Sequence, residues 1–261
     1  MSIASLQEKV AIITGCSSGI GFATTRLFLE RGASVFGIDI GDQPQKLAED
    51  FSTFTFYQTD LTDSQAVEHA VAKCIGKHNR IDVLVNCAGV SDGWSSADTI
   101  HEDEWERVMA INLNVPIRMM KAVLPAMKAQ KKGAIVNVAS KAGMSGASAG
   151  IAYTASKHGL VGATKNVAWR FHKEGIRCNG VLPGSVPTNI ANSVQMEHFD
   201  SAGFNSFFPI VELHVSKDSE GTPVPYIGVD HVARGIAFLA SDESQMINGA
   251  MVPIDNAWST I

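Results

Sequence analysis

The chain has few cysteines, no long apolar run and no excess of positive charge, and each shortage removes a class of protein. Its four cysteines in 261 residues, Cys16, Cys74, Cys87 and Cys178, show no CxxC pair or other ligand spacing. They read as small buried residues, not as disulfides or a metal site. The eight histidines show no zinc-like spacing either, so no metal is expected. No apolar stretch approaches the roughly 20 residues that span a bilayer, and Met1–Lys9 lacks the basic-then-apolar order of a secretory signal. The expectation is a cytoplasmic chain without membrane attachment. A formal net charge of −5 argues against nucleic acid, whose phosphates want clustered Lys and Arg. No Pro-rich, Gly/Ser-rich or like-charge run marks a linker, and with 45% hydrophobic residues positions 1–261 can bury one large core. One domain that binds a small molecule is expected.

What is present is rhythm. Short apolar runs predict strands at Lys9–Thr14, Ser34–Ile38, Thr53–Gln58, Asp82–Asn86, Ala134–Ala139, Arg177–Leu182 and Met251–Ile254. Amphipathic stretches predict helices at Gly19–Arg31, Asp63–Lys77, Glu102–Lys131, Ala152–Lys173 and Val229–Ala240. Strand-helix alternation with right-handed crossovers gives an α/β fold, a doubly wound parallel sheet of about seven strands with helices on both faces. Ligands then collect beyond the carboxyl ends of the strands. One stretch breaks the rhythm. Asn189 to Ile227 is a long connection holding Phe199, Phe204, Phe207 and Phe208, and unusually long connections are often lids or binding loops.

Between the first strand and first helix lies Thr14-Gly15-Cys16-Ser17-Ser18-Gly19-Ile20-Gly21, with glycines spaced GxxxGxG. Glycine permits a tight turn and a close approach of backbone amides to a pyrophosphate, to which the helix amino terminus adds positive dipole. Asp39 ends the second strand about twenty residues further on, where a carboxylate accepts from adenosine ribose hydroxyls. It would repel a 2′-phosphate, and neither Cys16 nor Ile40 offers a cation for one. NAD is therefore expected over NADP. Asp60, after the third strand, suits an adenine amino group or a helix cap.

Further motifs follow in order: Asn86-Cys87-Ala88-Gly89 after the fourth strand, Asn112 in the fourth helix, Ser140 after the fifth strand, Tyr153-x-x-x-Lys157, and Pro183-Gly184 with Thr188. With the glycine turn, this set over nearly the whole chain resembles the short-chain dehydrogenase/reductase family, in its compact single-domain, Rossmann-like branch. In its tail and loop the chain resembles members from fungal secondary metabolism. The resemblance implies catalytic Asn112, Ser140, Tyr153 and Lys157. It implies a cofactor site of Gly15, Ser17, Ser18, Gly19, Ile20, Gly21, Asp39, Asp60, Leu61, Asn86, Ala88, Gly89, Tyr153, Lys157, Pro183, Gly184, Val186 and Thr188. In that pattern Lys157 binds the nicotinamide ribose, Asn86 and Ala88 contact the adjoining ribose region, Thr188 holds the carboxamide, and Asn112 supports a water relay.

The chemistry of these residues agrees with such roles. Tyr153 and Lys157, four apart on a helix, share one face at about 5 to 6 Å between Cβ atoms. A free phenol has a pKa of about 10, and a neighbouring cation favours its ionised form. Tyr153 is then the general base in alcohol oxidation and general acid in ketone reduction, while Ser140 holds the substrate oxygen. The expected activity is NAD(H)-dependent interconversion of a secondary alcohol and a ketone on a small, apolar or cyclic substrate. The alternatives are an NADP(H)-dependent ketoreductase of secondary metabolism and an idle nucleotide-binding scaffold. Apolar surface on the two long helices, where the family pairs, predicts a homodimer or homotetramer. The chain departs from the family pattern at Cys87, Lys141 and the tail Pro253-Ile254-Asp255-Asn256, away from the acid/base pair.

Overall fold

The computed structural model describes residues 5–260 except Asp218 and Thr222. Met1–Ala4, where the reading for a secretory signal began, Ile261, and those two positions of the long connection lie outside the described residues. The chain runs β1 (Val10–Thr14), α1 (Gly19–Glu30), β2 (Ser34–Asp39), α2 (Gln45–Asp50), β3 (Phe54–Gln58), α3 (Ser64–His78), β4 (Val83–Asn86), α4 (Glu102–Met109) and α5 (Val115–Gln130). It continues through β5 (Gly133–Val138), α6 (Ile151–Phe171), β6 (Ile176–Pro183), α7 (Ser201–Glu212), β7 (Val215–Lys217), β8 (Pro223–Pro225), α8 (Val229–Ala240) and β9 (Met251–Ile254).

Alternation along the strands decides the layering. In β1, Ala11 and Ile13 enter one apolar cluster, Val10 and Ile12 another; in β4, Val83 and Val85 part from Leu84 in the same way. Successive side chains of a strand point to opposite faces, so a strand buried at every position needs cover on both sides. One face receives Phe28 and Leu29 of α1 with Val232 and Ile236 of α8. The other receives Val67 and Val71 of α3, Met119 and Val123 of α5, and Ala168 of α6.

The parallel sheet has the order β3-β2-β1-β4-β5-β6-β9. From β1 the chain steps outward through β2 to β3, then returns to lay β4 on the other side of β1. A crevice opens beyond the carboxyl ends of β1 and β4, where the order reverses. The doubly wound α/β architecture is as the sequence predicts. Among the described residues, no helix is long and apolar enough to cross a membrane.

Three expectations need correction. The predicted helix Glu102–Lys131 is two helices joined by a π-helical turn at Ala110–Asn114. The wider turn coincides with the inward pull of the Asn112 carboxamide, which grips both backbone groups of Val90, and with Pro116, whose nitrogen carries no hydrogen. The connection after β6 is not loop throughout, since it contains α7 and the antiparallel β7-β8 hairpin. Asp200 caps α7 by accepting from Ala202 and Gly203. The short helix α2 was unforeseen.

Candidate active site

Two backbone approaches build the floor of the crevice. The Thr14 hydroxyl accepts from the amides of Cys87 at 3.0 Å and Ala88 at 3.1 Å, tying β1 to β4. Gly15 has φ +71°, and a Cβ there would lie 2.9 Å from the Ala88 backbone; a Cβ on Gly21 would run into the Gly15 carbonyl. Glycine is a steric requirement at both positions. The N-cap Ser18 makes no side-chain cap and the first turn of α1 holds no acidic residue. Its leading amides are left for an anion, which is the fit a dinucleotide pyrophosphate needs.

Asp39 stands at the end of β2 with Oδ2 accepting from the Ser17 amide at 2.9 Å and Oδ1 from the Gly41 amide at 2.9 Å. The carboxylate is fixed in the wall of the cleft. Asp60 also lines it, with Oδ1 taken by the amide and hydroxyl of Thr62. The cleft has a volume of about 370 Å³ and runs from these carboxylates past Gly15, Gly19 and Ala88 to Ser140, Tyr153 and Lys157.

At that far end three elements converge. Ser140 follows β5, and its hydroxyl is hydrogen-bonded with the phenol of Tyr153 and accepts from the Ala142 amide at 3.1 Å. Lys157, one helical turn beyond Tyr153, donates to the Val138 carbonyl at 3.0 Å and holds its Nζ 5.3 Å from the phenol ring centre. Burial pushes the Tyr153 phenol up to about 12 against the opposing pull of the Ser140 hydrogen bond, with Asp92 and Cys87 adding to the rise. Burial pushes the Lys157 ammonium down to about 8. At neutral pH the pair is thus a neutral phenol beside an ammonium. The arrangement can donate a proton to an oxygen lodged between Ser140 and Tyr153, and can take one back when further positive charge is brought near.

Of the predicted set, Gly15, Ser18, Gly19, Ile20, Gly21, Asp39, Asp60, Leu61, Ala88, Gly89, Pro183, Gly184, Val186 and Thr188 all line this cleft with Ser140, Tyr153 and Lys157. Three others stand behind it. The Ser17 hydroxyl donates to the Asp42 carbonyl at 2.8 Å. The Asn86 amide donates to Asn137 at 2.8 Å within the sheet. Asn112 is fully buried, its carboxamide bonded to the amide and carbonyl of Val90 at 2.9 Å each and donating to the Ser156 hydroxyl at 3.3 Å. Cys87 is half-buried and lines the cleft, unlike the three fully buried cysteines.

Sequence reasoning missed Asp92 and Glu104, both fully buried in and against the segment after β4. A signal existed: α6 starts without a Ser, Thr, Asp or Asn at its N-cap, which is Gly150. The phenylalanines of the long connection do not line the cleft; Asn189, Ile190 and Ser193 do. Phe204 and Phe207 pack on Trp94 at ring distances of 5.3 and 4.6 Å, and Phe207 reaches Trp258 at 6.2 Å. His101, Asp103 and His198, unrelated by sequence spacing, place ligand atoms within 4.8 Å of one another. The two imidazoles stack at 8° between planes, so one ion could not lie in the plane of both without a tilt of one ring.

The chain is similar to known proteins. The model for short chain dehydrogenases matches residues 9–198. A short-chain dehydrogenase/reductase of Talaromyces verruculosus, cdmF, is 48% identical over 98% of this chain and 99% of its own. The asnovolin H dehydrogenase nvfC of Aspergillus novofumigatus is likewise 48% identical, over 98% of this chain and 99% of its own. The crystal structure of levodione reductase superposes with a TM-score of 0.84 at 28% identity, covering 97% of this chain and 98% of that one. With the glycine turn, the reversal of strand order and the Ser-Tyr-Lys cluster in one cleft, this likeness over the full length makes the chain a member of the short-chain dehydrogenase/reductase family, an NAD(P)-dependent oxidoreductase acting on alcohols and ketones.

Proposed function

We propose that the protein is an NAD(H)-dependent dehydrogenase that interconverts a secondary alcohol and a ketone on an apolar, cyclic substrate, with Tyr153 as the proton-transfer group. The observation that carries this is the meeting of Ser140, Tyr153 and Lys157 at one end of a cleft whose other end is lined by Asp39. A bound nicotinamide supplies or accepts the hydride. Ser140 donates a hydrogen bond to the reacting oxygen, Tyr153 exchanges a proton with it, and Lys157 supports the phenolate and holds ribose hydroxyls. Asn112, committed to Val90, sets the backbone beside Gly89 and Lys157. Apolar substrate is supported by Val90, Ile111, Val138, Val186 and Ile190 in the cleft wall. The name of the relative that dehydrogenates asnovolin H supports a substrate of fungal secondary metabolism.

The proton-transfer assignment is tested by Tyr153→Phe, which should lower turnover by about 10²- to 10⁴-fold while NAD(H) binding persists. Lys157→Ala should damage both turnover and cofactor affinity. Most of the activity surviving in Tyr153→Phe would place proton transfer elsewhere.

The preference for NAD(H) follows from the anchored Asp39 carboxylate and from Lys157, at the opposite end, being the one cation among the described cleft-lining residues. Dissociation constants should favour NAD(H) by at least about tenfold, or 1.4 kcal/mol. Asp39→Ala should erode that ratio and Asp39→Arg reverse it; an unaltered protein that prefers NADP(H) refutes the assignment.

Residues 189–227 act as a substrate loop, with Ile190 and Ser193 facing the cleft and the aromatic cluster fastening α7 to Trp94 and Trp258. Phe207 is the buried ring shared by both tryptophans. Phe207→Ala should raise substrate KM and speed proteolysis of the loop, with NAD(H) affinity kept. Unchanged kinetics and cleavage would contradict this role.

A homodimer or homotetramer is supported by the exposed Ile117 of α5 and by Trp169 of α6, which is 77% exposed. Light scattering at micromolar protein should give a dimer or tetramer mass. A monomer mass would exclude it.

A further inference from the structure

The helix that carries Tyr153 has no cap of its own. Its N-cap is Gly150, with no side chain to offer, and no acidic residue occupies its first turn. The first four amides of a helix have no partner inside it. Here the segment after β4 takes three amides from outside: Gly150 N–H donates to Asp92 Oδ1 at 3.1 Å, Ile151 N–H to the Ser95 carbonyl at 2.8 Å, and Tyr153 N–H to Asp92 Oδ2 at 2.8 Å. Asp92 also accepts from the Trp94 amide at 3.3 Å and is fully buried. A Cβ on Gly150 would lie 2.6 Å from Oδ2, so the carboxylate sits hard against the helix start.

A second buried carboxylate braces the segment from behind. Glu104 accepts from the Gly93 amide at 2.7 Å and the Ser95 hydroxyl at 3.0 Å, and makes no bond to α6. The substrate loop fastens to the same segment: the Ser91 amide donates to Ser193 Oγ at 2.8 Å, and the Asp200 amide to the Gly93 carbonyl at 2.7 Å. One short stretch, 91–95, therefore meets the loop on one side and the start of α6 on the other.

We propose that Asp92 is a positioning residue for Tyr153, capping α6 from outside and setting, through its buried negative charge, the balance between proton donor and proton acceptor. This rests on Tyr153 being the proton-transfer group. A carboxylate bonded to the Tyr153 amide fixes where the side chain starts, and Ser140 fixes where it ends. A like charge nearby also makes ionisation of the phenol harder. The groups acting on that phenol are Ser140 after β5, Cys87 after β4, Lys157 on α6 and Asp92 itself. Burial holds the Cys87 thiol up to about 12, so that group stays neutral through the working range. Burial, with Glu104 adding, holds the Asp92 carboxyl above the usual carboxylate range, against the pull of the Tyr153, Trp94 and Gly150 amides; in the alkaline range where the phenolate forms it is the negative charge among them. Its removal lowers the pH at which the phenolate forms, moving the acid limb of alcohol oxidation and the alkaline limb of ketone reduction both to lower pH.

The test is a spectroscopic titration of phenolate in the NAD⁺-bound protein, each variant read against its own Tyr153→Phe partner so that only this phenol is followed. Asp92→Asn should lower the midpoint by about half to one pH unit, the size expected when one like charge is removed. Glu104→Gln, equally buried but unbonded to α6, should leave it in place. An unmoved midpoint in Asp92→Asn, or an equal shift in Glu104→Gln, would overturn the inference. Should Asp92→Asn fail to fold, Asp92→Ser keeps a cap acceptor without the charge and carries the same expectation. If Tyr153→Phe keeps its turnover, the assignment of Tyr153 itself fails. If that variant is inactive while the Asp92→Asn midpoint stays in place, only the role of Asp92 falls.

Discussion

Burial of a phenol and an ammonium one helical turn apart is the constraint on which this site depends. Desolvation acts on the two groups in opposite directions, raising Tyr153 to about 12 and lowering Lys157 to about 8. Neutral phenol is therefore the resting form, ready to give a proton to a ketone oxygen. Running the reaction toward the ketone asks for positive charge beyond what Lys157 gives, because burial outweighs the Ser140 hydrogen bond. On the proposed function, an oxidised nicotinamide would carry such charge to this end of the cleft. Cofactor binding and proton transfer are on this account linked by electrostatics.

The fold holds the pair through backbone groups at the carboxyl ends of central strands. Lys157 is tied to Val138 at the end of β5, and Ser140 follows two residues later. Thr14 draws β4 to β1, and the Asn112 carboxamide clamps Val90, so that the segment leaving β4 is fixed where it passes Tyr153. The π-helical turn that delivers Asn112 lies between α4 and α5. Such turns recur at functional sites because an added residue re-aims a side chain without ending the helix.

What was legible in the sequence was what local stereochemistry demands. Gly15 and Gly21 are readable because backbone atoms stand where a Cβ would be, and Asp39 because it ends an apolar strand of fixed length. The alternation of apolar strands with amphipathic helices disclosed a parallel sheet covered on both faces. The π-helical turn left the apolar period of Glu102–Lys131 intact, so a single helix was the natural reading. The sequence marks the phenylalanines only as part of a lid or binding loop, because their partners Trp94 and Trp258 lie about 110 residues before and 50 residues after them in sequence. Asp92 and the His101, Asp103, His198 group depend in the same way on contacts made only after folding.

The most direct measurement of the link between charge and proton is calorimetry of NAD⁺ binding at alkaline pH in two buffers of different ionisation enthalpy. If the bound cofactor lowers the phenol below its resting value of about 12, binding releases a proton between the two midpoints. The account predicts proton release by the unaltered protein that is lost in Tyr153→Phe. Equal proton release by both, or none by either, would contradict it.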